Sequence, residues 1–147
     1  MTPTTDALHD ALDQITTYVN SQTEDTMSYK SSQDHWSKKE TIGHLIDSGL
    51  YNLLRFAEIQ FQSRPYHISA YQQRELVEAN RYQDSLIDEM LALLIAVNRR
   101  ILTIVDCYTD DMLDLPIITP ENEKADLRFL VKDYVDHFVH HTKQLTS

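Results

Sequence analysis

Two glycines and four prolines punctuate a chain of 147 residues, and that scarcity constrains the fold more than any other feature. A many-stranded fold turns often and needs these residues at its turns, whereas so few suit a handful of long helices. The length is that of one domain, so residues 1–147 read as a single unit. Such a domain buries about two-thirds of its unfolded surface and needs no staples. No fixed-period repeat or low-complexity tract breaks it up.

Four stretches carry apolar residues at helical spacing. The first runs from Thr5 to Ser21, with Leu8, Ala11, Leu12, Ile15, Tyr18 and Val19 on one face. The second begins at Ser37-Lys38-Lys39-Glu40, a capping box in which Ser37 takes an orphan backbone N–H and Glu40 reaches back. Its stripe is Ile42, Leu45, Ile46, Leu50, Leu53, Leu54 and Ala57, and it is expected to last to about Phe61. The third, from Ser85 to Tyr108, has a seam of Ile87, Met90, Leu94, Val97, Ile101 and Ile104, the alternating spacing of bundle helices. The fourth starts at an Asp126 N-cap and runs to the end, with Leu127, Leu130, Tyr134, His137, His141 and Gln144 on its seam. One short connection (after the first helix) and two long ones, residues 63–82 and 109–125, complete an all-α four-helix bundle. Trp36 is expected in the core at the bundle end, and Cys107 as a core filler near a helix end.

Charge limits the partners. Thirteen basic residues against 23 acidic give a net charge of −10. Nucleic acids and anionic membranes demand a basic footprint that is missing here, since no Lys/Arg run exceeds a pair. The N-terminus lacks the basic and apolar regions of a signal peptide, no apolar run could span a bilayer, and a lone cysteine excludes an internal disulfide. A cytoplasmic location is therefore expected.

The chemistry sits on the last seam. Positions 137, 141 and 144 fall where apolar side chains belong, yet they hold His, His and Gln. Burying unpartnered polar groups costs about 1–3 kcal/mol each, so two imidazoles in succession need a compensating interaction. Histidines at i and i+4 lie about 40° apart on a helix, close enough for both to reach one ion at about 2.0–2.1 Å. His44, on the edge of the second stripe, is the candidate third ligand, although a polar face beside a core stripe can equally be the solvent boundary. It lies about 10 Å into its helix, a depth that matches His141 only if the second and fourth helices are antiparallel. One long connection must then cross the bundle lengthwise, and either is long enough.

Metal-bound imidazoles usually give their second N–H to a carboxylate or carbonyl. Asp47, three residues after His44, and Asp133, four before His137, could orient a ring. Gln144 could hydrogen-bond a ligand or a ring. Asp47, Tyr51, Glu40 and His67 are all open as a general base, and none stands out. Arg55 is expected to pair with an acid inside the bundle. His140 reads as an edge residue, and His9 and His35 as surface residues.

Two segments carry a family resemblance. Trp36-Ser-Lys-Lys-Glu-Thr-Ile-Gly-His44-Leu-Ile-Asp47, followed by Asn52 and Arg55, resembles the second helix of the DinB-like family. Asp133-Tyr134-Val-Asp-His137-Phe-Val-His-His141-Thr-Lys-Gln144 resembles its fourth. The likeness covers most of the chain and is thinnest over residues 63–125. It implies an up-down-down-up bundle with the crossover between helices two and three. It also implies that His44, His137 and His141 hold one divalent ion, zinc or nickel foremost. The activities it implies are a metal-dependent hydrolase or a transferase of a low-molecular-weight thiol, acting on a small-molecule substrate. The competing reading is a catalytically silent bundle whose histidines form a buried hydrogen-bonded cluster and whose role is binding or oligomerisation. Tyr66, Tyr71 and Tyr82 look exposed and could serve a homodimer or a pocket lid.

Overall fold

A computed structural model describes residues 2–147. Its elements run α1 (Pro3–Asn20), α2 (Glu24–Ser28), α3 (Lys38–Glu58), β1 (Tyr66–His67), α4 (Gln73–Ala79), a 3-10 turn (Tyr82–Asp84), α5 (Ile87–Asp106), α6 (Asp110–Leu113), β2 (Pro116–Ile118), β3 (Lys124–Asp126) and α7 (Leu127–Thr146). The four long helices are those expected, with ends displaced by three residues at most.

Local chemistry sets where they begin. At α3 the capping box forms as read: Glu40 N donates to Ser37 Oγ at 3.0 Å, and Ser37 N donates to Glu40 Oε1 at 3.1 Å. Asp126 caps α7 by accepting from Phe129 N at 2.8 Å. Thr2 caps α1 with Pro3 at its first position, two residues before the expected start. The start of α5 borrows its cap from α2: Ile87 N donates to Glu24 Oε1 at 2.8 Å. Lys39 Nζ donates to the other Glu24 oxygen and to the Ser85 carbonyl, so α2 ties the starts of α3 and α5 together. The Lys39 hydrogen bond, then that of Ile87, lowers the Glu24 pKa.

Contacts between helices fix their directions. From α3 to α5, Lys39 meets Ser85, Gly49 faces Val97, and the Tyr108 hydroxyl donates to the Phe56 carbonyl, so these two helices run the same way. From α3 to α7, His44 meets His137 and His141 while Phe56 packs edge-on against Tyr134, so this pair runs antiparallel. Helix α1 also opposes α3, with Tyr18 meeting Lys38 at one end and Leu8 lying beside Phe56 at the other. The connection that crosses the bundle is therefore the one between α3 and α5.

Both long connections hold structure that the sequence reading left as loop. Strand β1 pairs parallel with β2, and β2 pairs antiparallel with β3, giving a three-stranded clasp between the two connections. Ile117 of β2 and Ile68, just after β1, are buried. Asn122, at a left-handed φ of 65°, makes the β2–β3 turn.

The core contains most of the expected seams of α1 and α5 and the apolar part of the α7 seam, Leu127, Leu130 and Tyr134, but α3 departs from its apolar stripe. Leu50 and Leu54 are 44% and 57% exposed, and Ala57 is exposed too. Every residue from Ile42 to Gly49 is buried, polar ones included, because α2, α4, α5, α7 and the 3-10 turn surround this half of the helix. Cys107 is exposed rather than a core filler, since it lies past the end of α5. Tyr82 is buried, and Tyr66 and Tyr71 are partly so.

Gly43 and Gly49 permit this enclosure. A Cβ on Gly43 would stand 2.1 Å from Cδ2 of the Tyr82 ring, and one on Gly49 would stand 2.8 Å from Cγ1 of Val97. Overpacking of this kind costs about 1–3 kcal/mol. Gly43→Ala is expected to lower the urea midpoint by at least that equivalent, and Gly49→Ala by less. Unchanged midpoints would contradict the packing.

Candidate metal centre

Three imidazoles converge where the first half of α3 crosses the second half of α7. His44 is 1% exposed, while His137 and His141 are half-buried. Their ring centroids lie 5.0 Å (His44–His137), 5.0 Å (His44–His141) and 4.5 Å (His137–His141) apart, all nearly edge-to-face. Nε2 of His44 stands 3.1 Å from Nε2 of His137, and one nitrogen from each ring falls within a 4.8 Å span. A tetrahedral ion with bonds of about 2.0–2.1 Å sets its ligands about 3.4 Å apart. The three side chains can therefore hold a metal with little rearrangement.

Electrostatics point the same way. Burial, then the neighbouring His137 and His141, pulls the His44 pKa down to about 4. Burial likewise lowers His141 to about 4, with His137 and His140 adding to the shift and a Gln144 hydrogen bond opposing it. His137 is lowered by burial and by His140. All three rings are thus neutral at physiological pH, the state a metal ligand needs. Nδ1 of His44 and of His141 are buried without a hydrogen-bond partner, while Nε2 of His44 lies within hydrogen-bonding distance of Nε2 of His137.

The other expected residues divide. Asp47 does not orient His44; its Oδ1 accepts from the Tyr82 hydroxyl at 2.6 Å and from Asn80 Nδ2 at 2.8 Å, locking the crossover onto α3. Gln144 is exposed rather than core-facing, because the α7 seam reaches the bundle end there. Asp133 lines a cavity of about 290 Å³ together with His137. Burial, Asp136 and Glu121 raise its pKa. Tyr51 lies outside that cavity, 40% exposed and stacked on Tyr71 at 4.3 Å. His67 lines a separate hollow, and Glu40 is occupied by its cap and by Lys30 at 2.7 Å. His140 is exposed, its ring 5.5 Å from that of His141. Trp36 is partly buried and packs against the core as expected, and with its ring 5.2 Å from that of His44 it also walls the site. Sequence reasoning gave no role to Ser48 and Asn52, which line the cavity together with Tyr71, one of the tyrosines expected at a dimer face or pocket lid. The spacing of Ser48 and Asn52, four and eight residues after His44, was the available signal.

The matching family model covers residues 7–145. The chain belongs to the DinB superfamily. Among solved structures, this DinB chain is similar to YfiT from Bacillus subtilis, a probable metal-dependent hydrolase with an unusual four-helix bundle topology. The two share 20% identity with a TM-score of 0.81, over 97% of this chain and 83% of that one. It is also similar to a mycothiol-dependent maleylpyruvate isomerase, at 12% identity and a TM-score of 0.74. That match covers 98% of this chain and 60% of the isomerase. At these identities the likeness establishes the fold. No curated protein matches the chain by sequence.

The lowered histidines set a pH dependence. An ordinary His titrates near 6.5, above these folded values, so below pH 6.5 the unfolded chain binds more protons than the folded one. Stability of the metal-free DinB protein should be full above pH 6.5 and fall as pH drops toward 4. Denaturant unfolding across that range should show the loss, with a shallower slope in His44→Gln. Identical slopes would contradict the burial of these rings.

Proposed function

We propose that the chain is a metal-dependent enzyme. It holds one divalent ion, zinc or nickel, on His44, His137 and His141, and acts on a small molecule by hydrolysis or by transfer of a low-molecular-weight thiol. The observation that carries this reading is the meeting of three neutral imidazoles, two with orphaned Nδ1 atoms, at a cavity reaching His137. A three-histidine ion keeps a position open at which water or a thiol is acidified. The protein supplies the rest. Burial and the flanking Trp36 hold His44 in place. Asp133, its pKa raised on the cavity wall, is the carboxylate best placed to take or return a proton. Asp47, Glu40, Tyr51 and His67 are engaged elsewhere or face away. The silent-bundle reading needs histidines closed off from solvent, and the cavity at His137 counts against it.

A cytoplasmic setting suits a chain in which, among the described residues, no helix is long and apolar enough to cross a membrane. The reading includes a homodimer, for which the exposed Leu50 and Leu54 on one side of α3, with the exposed Phe61 just past its end, are the candidate face.

Protein purified without a histidine tag should contain or take up one zinc or nickel ion per chain. Added metal should raise its melting temperature, and His137→Ala should abolish that rise. Absence of a stoichiometric ion, with melting in added metal unchanged by the substitution, would sink the proposal. A thiol-conjugation assay run beside a hydrolase panel separates the two reaction classes.

A further inference from the structure

Helix α3 presents one continuous polar face toward the cavity. His44, Ser48, Asn52 and Arg55 are spaced four, four and three residues apart, and the last three line the cavity with Tyr71 and His137. The histidines mark one end and Arg55 the other, about 16 Å along the helix axis. Arg55 was expected to pair with an acid inside the bundle. Instead, no carboxylate lies within ion-pair distance of it among the described residues. Its Nη2 donates to the Ser69 carbonyl, and its guanidinium carbon lies 5.9 Å and 5.7 Å from the stacked rings of Tyr51 and Tyr71. A guanidinium carries five donors in a rigid fork that matches a carboxylate. Here it is half-buried, steered by two aromatic faces, and left with spare donors beside the cavity.

We propose that Arg55 is the anion anchor of this cavity, which takes a small molecule ending in a single carboxylate with its reacting group toward the histidines. The inference rests on the reading of this cavity as the substrate site. The opposite wall makes the commitment to one charge: Glu121, Glu123 and Asp133 line it, and their carboxylates oppose a second negative charge on the ligand. Phosphate monoesters, which carry nearly two charges, are therefore disfavoured. The modest volume, about 290 Å³, suits a short chain rather than a bulky ring system.

The test compares hexanoate, hexanamide and hexyl phosphate on metal-free protein by ligand-detected NMR titration. It then compares 6-mercaptohexanoate with its amide on zinc-loaded protein. In both forms the acid should bind about tenfold or more tightly than the amide. Hexyl phosphate should bind no better than hexanoate. Arg55→Gln should erase the preference for acid over amide, and Arg55→Lys should restore part of it, each with unchanged circular dichroism. Equal binding of acid and amide, a preference that survives Arg55→Gln, tighter binding of the phosphate, or no binding of either compound overturns the anchor. Failure of metal uptake, with the carboxylate preference intact in metal-free protein, would count against the metal reading alone.

Discussion

The fold is organised around three imidazoles drawn into the contact between α3 and α7. His44 is taken fully out of water and His137 and His141 partly so, and two of the three keep a buried nitrogen with no partner. Burial holds all three neutral, so their lone pairs remain available rather than protonated. Such a cluster is unfavourable unless something accepts those lone pairs, and a divalent ion is the acceptor that a three-nitrogen set fits.

The surrounding architecture follows from that requirement. His44 near the start of α3 can meet His137 and His141 only if α3 and α7 run antiparallel, and α5 running with α3 obliges the chain to cross the bundle. The crossover is pinned where it matters. Tyr82 lies against Gly43, and its hydroxyl meets Asp47 on the helix that carries His44. Asn98, fully buried on α5, accepts from the Tyr134 hydroxyl at 2.6 Å and ties α7 into the same frame. The clasp of β1, β2 and β3 then covers the cavity side, with Ile117 of β2 and Ile68, just after β1, buried.

Much of this was legible in the chain. Helical periodicity, the Ser37 capping box and the Asp126 cap place the long helices, and histidines on an apolar seam announce inward-facing polar groups before any coordinates exist. Reasoning from one helix at a time failed where several elements share a surface. Leu50 and Leu54 looked like core because they extend an apolar stripe, but in the second half of α3 the buried side is that of Asn52 and Phe56. The β strands are two or three residues long, too short for alternation to register, although Asn122 between Ile118 and Lys124 was a turn signal. Arg55 could not be read because the absence of an acid beside it is a property of three dimensions. The hydrogen bonds of Asp47 Oδ1 were hidden for a similar reason: its partners, Asn80 and Tyr82, are distant in sequence.

X-ray absorption at the metal edge of zinc- or nickel-loaded protein tests the central claim most directly, because it counts ligands and measures bond lengths together. The account predicts three imidazole nitrogens at about 2.0–2.1 Å plus oxygen ligands at the open position, with one imidazole lost in His44→Ala. A spectrum of a hydrated ion without imidazole scattering, or one unchanged by that substitution, would contradict it.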